Sequence, residues 1–221
     1  MSREKLTEIY RLLYDEFGPQ HWWPGETRFE IITGAVLTQN TSWANVEKAI
    51  KNLKSAECLT PEKLHHIDTE QLANLIRPAG YFNIKTKRLK NFINWLFENY
   101  NGNLTDLESI DTDRLRAELL AIKGVGRETA DSILLYAFDR PVFVVDAYTA
   151  RVVFRHELIA PEADYEQLRE LFESSLPADT RLFNEYHALL VRVGKEFCRP
   201  KVRCPGCPLE KLPHTLDPEY F

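Results

Sequence analysis

Apolar residues recur along this chain three and four positions apart, the spacing that lines one face of a helix, and no alternating strand pattern runs for any length. Phe29, Ile32, Ala35 and Val36 form one such stripe within 28–39, and Leu89, Phe92, Ile93 and Leu96 form another within 84–100. A first helix is predicted over 5–17, because Gly18 can turn left-handed and Pro19 cannot continue a helix. Helices are also predicted over 43–53, 69–76, 112–121 and 127–138, onward from 146, and over 165–174 and 180–197. The run PVFVV at 141–145 has the composition of a strand but no partner to pair with, so a buried extended connector is expected there. The pattern predicts an all-α fold without repeats or low-complexity segments.

Composition adjusts this picture only slightly. With 221 residues, 44% hydrophobic and 28% charged, the chain reads as an ordinary globular protein of one domain or two interleaved lobes. Its formal charge of −5 excludes a general attraction to nucleic acid, so any DNA contact must come from a local patch. The charged, amphipathic opening MSREKLTEIYRLLYDEF lacks signal-peptide character, and no segment approaches the roughly 18 apolar residues of a membrane span. A cytoplasmic monomer without membrane contact is expected. Cys198, Cys204 and Cys207 crowd into ten residues, which in a cytosolic chain points to metal more than to disulfides.

The stretch IKGVGRETADSI, 122–133, joins two predicted helices through KGVG. Glycine tolerates positive φ and lets another backbone approach closely, so a tight turn is expected. The N–H groups of Gly124, Gly126 and the first turn beyond have no intrahelical partner and can face an anion such as a DNA phosphate. Lys123 and Arg127 flank that site, with Val125 between the glycines. A plain helix–helix turn with a glycine cap is the alternative.

Twenty residues beyond Gly126, in VFVVDAYTARVV, Asp146 follows four apolar residues and opens a helix. There the helix dipole favours an ionised carboxylate. Such a charge can stabilise the oxocarbenium-like sugar that forms as a base leaves, or orient an attacking water. An ordinary N-cap aspartate is the alternative.

The run 119–153 resembles the helix-hairpin-helix, Gly/Pro-rich loop and aspartate signature of the endonuclease III superfamily of DNA glycosylases. GAVLTQNTSWANVEKAI resembles that family's early helix and following loop, and the C-terminal cysteines resemble its iron-sulfur loop. The resemblance implies two helical lobes, a six-helix barrel lobe at 21–138 with the hairpin at 112–138, and a second lobe from 1–20 with 139–221. It makes Asp146 the catalytic residue and Gln39 the side chain that fills the gap left by a flipped nucleotide; an ordinary polar residue at the helix C-terminus is the alternative for Gln39. Superfamily members that also cut the strand carry a lysine where this chain has Glu128, and a carboxylate cannot form an imine. A monofunctional enzyme acting on double-stranded DNA with a damaged base is therefore expected.

WWP, GAVLTQNTSW, RPAGYFNIKTKRLK and GVGRETADSI together resemble the 3-methyladenine glycosylase branch. Trp22, Trp23, Pro24 and Trp43 are the candidate base pocket, since aromatic faces sandwich flipped bases and attract cationic ones; core packing is the alternative for each tryptophan. Lys85, Lys87, Arg88 and Lys90 form a basic segment that is either a solvated helix face or a phosphate contact. The cysteine gaps are five and two residues, one short of the family's first gap, and the fourth position falls on Pro213, followed by His214. Cys198, Cys204, Cys207 and His214, with Cys58 as a remote substitute, are the candidate ligands of a [4Fe-4S] cluster; a loop that has lost its cluster, or zinc, are the alternatives. Glycosylases for oxidised pyrimidines or T:G mismatches, and a silent DNA-binding module, are the competing functions.

Overall fold

The computed structural model describes residues 2–23 and 25–216. They form the helices α1 (Ser2–Phe17), α2 (Arg28–Leu37), α3 (Trp43–Ser55), α4 (Pro61–His66), α5 (Thr69–Leu75) and α6 (Phe82–Tyr100). These are followed by α7 (Thr112–Ala121), α8 (Arg127–Ser132), α9 (Ala147–Arg155), α10 (Tyr165–Ser175) and α11 (Thr180–Glu196). Short 3-10 turns lie at Arg77–Ala79 and Leu104–Ser109, and the described residues contain no strand. The fold is all-α, as the apolar spacing predicts. Residues 142–145 are buried without strand pairing. No helix among the described residues is long and apolar enough to cross a membrane.

Side chains that accept the otherwise unpaired N–H groups of a first turn set the helix starts. Thr27, Thr60, Asp68, Asp111, Asp146, Asp164 and Asp179 each cap the helix that follows them. Gln167 returns a bond to the Asp164 N–H at 2.9 Å, completing a capping box.

Three local features depart from the sequence expectation. Helix α2 stops at Leu37, so Gln39 lies in the following turn rather than at the helix end. The Thr38 N–H and hydroxyl both bond the Gly34 carbonyl; beyond it Lys85 takes the Leu37 carbonyl that a Thr41 N–H would use in a continuing helix, and the Thr41 N–H bonds the Thr38 carbonyl instead. The six-residue α4 is too short to show an apolar stripe, although Thr60 and Pro61 supply its start. The expected helix over 127–138 changes to a π-helical turn at Ile133–Ala137. The additional residue in that turn swings the side chains beyond it onto a different face.

By contact, the chain divides into two compact units, Met1–Trp22 with Pro141–Phe221, and Trp23–Arg140. In the first, α11 packs on α9 and α1, and α10 on α1. Its core is aromatic: Phe143 stacks on Phe172 at 3.8 Å, Phe183 and Tyr186 meet Phe143 edge-on, and the Tyr186 hydroxyl donates to the Leu6 carbonyl. In the second, α2 is central and packs against α3, α6, α8 and the π turn.

Candidate active site

In the second unit, α7 and α8 form the hairpin. The turn carries Gly124 at φ +101°, a region open to glycine, and the Val125 N–H closes onto the Ile122 carbonyl at 3.0 Å. Val125 is buried, whereas Lys123, Gly126, Arg127 and Glu128 are exposed. Beneath the turn the two helices are clamped by Arg116, whose Nε and Nη2 donate to the two Asp131 oxygens at 2.6 and 3.0 Å. Asp131 is fully buried and Arg116 nearly so, which makes the clamp a paired, bidentate interior charge pair.

The basic segment on α6 is neither a solvated face nor, for most of its members, a free cationic patch. Lys85 is 1% exposed and donates to the Leu37 and Ala79 carbonyls at 2.9 and 2.8 Å; burial, with a smaller push from Arg88, lowers its ammonium to about 8. Lys90 donates to the carbonyls of Leu64, His65 and Ile67, which closes the end of α4. Arg88 donates to Gln39, and Lys87 is exposed.

Trp23 and Trp43 come together in the same unit, ring centroids 5.0 Å apart and edge to face. The other neighbour of Trp23 is Tyr136 on the π turn, stacked at 4.6 Å and 15°. Both tryptophans border a cavity of about 270 Å³ shared with Glu30, Glu47, Ile50 and Lys54. The Trp43 indole N–H donates to Glu47 at 2.9 Å. Tyr136 was not anticipated from the sequence, where it reads as one more apolar position of a continuous helix. Of the other expected pocket residues, Pro24 lies outside the described residues and Trp22 belongs to the first unit.

The first unit holds Asp146 and Trp22. Asp146 caps α9 in extended backbone, its Oδ1 accepting from the Thr149 N–H at 2.8 Å. Its Oδ2 stands 3.6 Å from Nε2 of His187, a buried residue of α11. Burial alone would raise the Asp146 carboxyl; His187 and the Thr149 N–H outweigh it and hold the group below its ordinary value. The Trp22 ring meets His187 edge-on at 6.4 Å, and the Lys195 ammonium sits 5.6 Å from the centre of Trp22. His187 is the residue that sequence reasoning missed. Its only signal was a titratable group at a position where α11 otherwise turns Phe183, Tyr186 and Leu190 inward.

A hairpin of this form, followed twenty residues on by a capping aspartate, matches known proteins over most of the chain. The family model described as HhH-GPD superfamily base excision DNA repair protein matches residues 33–178. The chain belongs to this superfamily. A provisionally named DNA repair glycosylase of Methanocaldococcus jannaschii is 52% identical over 95% of this chain and 96% of its own length. Endonuclease III of Sulfolobus acidocaldarius is 31% identical over 92% of this chain and 88% of its own. Among solved structures, the Helicobacter pylori 3-methyladenine DNA glycosylase bound to 1,N6-ethenoadenine is 30% identical with a TM-score of 0.73, covering 88% of this chain and 97% of that one. The activity class follows: this HhH-GPD protein is a base excision repair DNA glycosylase.

The C-terminal loop of this HhH-GPD chain brings Cys198, Cys204, Cys207 and His214 to one cavity of about 30 Å³, room for about one water. Cys58 belongs to the other unit. Arg155 docks the loop onto α9: its Nη1 donates to Cys198 Sγ at 3.1 Å and to the Arg199 carbonyl at 2.7 Å. His156 meets the Pro213 carbonyl, and burial lowers its imidazole to about 4. Burial also pushes the Cys207 thiol up to about 11. Among the described residues no group of three or more His, Cys, Asp or Glu stands where it could hold a metal ion. With Pro213 at the fourth position, and three thiols around so small a space, the residues as placed do not fit a cubane cluster.

Proposed function

We propose that this chain is a monofunctional glycosylase for alkylated purines such as 3-methyladenine, releasing the base and leaving an abasic site. The observation that carries the reading is the Asp146 carboxylate, kept ionised by His187 and the Thr149 N–H at the start of α9. A fixed negative charge beside the sugar stabilises the oxocarbenium-like transition state without needing to reorganise. An alkylated base already carries positive charge and leaves readily, so one carboxylate is sufficient. The Trp23–Trp43 pair is assigned to the flipped base, whose cationic ring gains from aromatic faces. Support comes from the H. pylori relative, a 3-methyladenine DNA glycosylase that binds the modified purine 1,N6-ethenoadenine.

The hairpin would hold a strand phosphate through the N–H groups around Gly124 and Gly126, edged by Lys123 and Arg127. Gln39 would occupy the space of the everted nucleotide. Glu128 takes the place of a Schiff-base lysine, so strand cleavage by β-elimination is not expected.

The test is a panel of duplexes carrying an alkylated adenine, thymine glycol or a T:G pair, with borohydride added in a parallel set. Release of the alkylated purine alone, with no covalent adduct, is expected. Asp146→Asn should lower that release by about 10²- to 10³-fold. Because asparagine also caps helices, its folding should be unchanged. Preferential release of thymine glycol or thymine would overturn the substrate assignment, and a trapped adduct would overturn the monofunctional one.

A further inference from the structure

Both ends of the Gln39 amide are held. Arg88 Nη1 donates to Oε1, while Nε2 donates to the Thr129 hydroxyl at 2.8 Å and the Gly124 carbonyl at 3.3 Å. A guanidinium only donates and a carbonyl only accepts, so these partners fix which way the amide faces. The stem of Arg88 closes directly on the hairpin turn: a Cβ at Gly124 would overlap its Cγ. Gly124 therefore serves two ends, a positive φ and a seat for the arginine stem. Three residues along the same face of α6, Asn91 Nδ2 donates to the Lys123 carbonyl at 2.7 Å. Helix α6 thus grips the turn at Lys123 and Gly124 while reaching across to Gln39.

We propose that Arg88 is a positioning residue that registers Gln39 against the hairpin, so that the element gripping the strand also aims the side chain entering the vacated stack. The inference rests on the reading of Gln39 as gap filler. The geometry favours this role over a phosphate contact, because Arg88 Nη1 is turned onto a neutral amide oxygen and the stem is pinned on the turn. Arg88 would act before chemistry, by holding one rotamer of Gln39 ready and removing the cost of ordering it when the duplex arrives.

The experiment uses the full chain and a duplex with a tetrahydrofuran abasic analogue opposite 2-aminopurine, which needs no knowledge of the excised base. Arg88→Met keeps a stem on Gly124 and removes the donor; it is compared with Gln39→Ala, the double variant and Arg88→Lys. Each single variant should weaken binding to this duplex about 10-fold relative to undamaged DNA, and the double variant should be no weaker than the worse single. The 2-aminopurine signal should be lost in both singles and partly recovered in Arg88→Lys, with the salt dependence unchanged. If the two losses multiply, or if Arg88→Met lowers the salt slope by about one and weakens undamaged DNA equally, Arg88 is a phosphate ligand and the proposal is overturned. A lower melting temperature for Arg88→Met and Arg88→Lys with an intact fluorescence signal overturns it as well. If Gln39→Ala alone leaves the signal intact, the gap-filling reading fails and the inference with it. If Gln39→Ala abolishes the signal and Arg88→Met does not, only the role of Arg88 is lost.

Discussion

The Asp146 carboxylate is divided between two duties, one oxygen capping α9 and the other facing His187. The capping bond means that the structural and catalytic readings of this residue are compatible: the cap fixes the side chain that the chemistry needs. His187 then decides its charge. With the folded pKa held below the ordinary carboxylate value, the ionised form persists at neutral pH and is lost only as pH falls through that lowered value. His187→Leu removes the largest lowering influence and leaves burial, which raises the group. The acid limb of the single-turnover excision rate should therefore move to higher pH in this variant. A pH–rate profile with an unmoved acid limb would remove His187 from the account.

At the scale of elements, the hairpin depends on what lies beneath it more than on its glycines. Asp131 is fully buried against Arg116, so Asp131→Ala strands a guanidinium inside the unit and should cost about 3–5 kcal/mol. In a chain of this size the melting temperature, followed by circular dichroism, should fall by at least about 6 °C. Gly124→Ala forces a side chain to φ +101° and into Arg88, and should both destabilise the fold and weaken DNA binding. Unchanged binding in a folded Gly124→Ala variant would remove the turn from the strand contact. Elements of this kind were legible in the sequence where the signal was local. Long apolar stripes gave α2, α3 and α6, and KGVG gave the turn. The signals that failed involve partners far apart in the chain. Nothing near Leu37 announces that Lys85, 48 residues on, will take its carbonyl and close the chain's turn beyond α2. Nothing near Asp146 announces His187, 41 residues on. The π turn is set by packing against α2 and by its place ahead of Arg140, whose N–H reaches back to Leu134.

At the scale of the whole molecule, a formal charge of −5 opposes DNA, and the structure withdraws more cations from the contact than composition suggests. Lys85, Arg88 and Lys90 are open in the sequence to a phosphate contact, yet each donates to an oxygen of the protein itself. Affinity must then come from exposed cations elsewhere, among them Lys123 at the hairpin. Each phosphate neutralised releases counterions, so binding should fall with salt in proportion to the number of phosphates those cations neutralise. Lys123→Gln should reduce the slope of log K against log salt by about one and weaken damaged and undamaged duplexes alike. Lys90→Gln should leave the slope unchanged and lower the melting temperature instead, because its three carbonyl partners lose their donor. The two variants remove the same charge from the same net total, so a molecule steered by overall charge would respond identically to both. Titrating binding against salt separates the cases: equal slopes would return the basic segment to the DNA, and unequal ones would leave it to the fold.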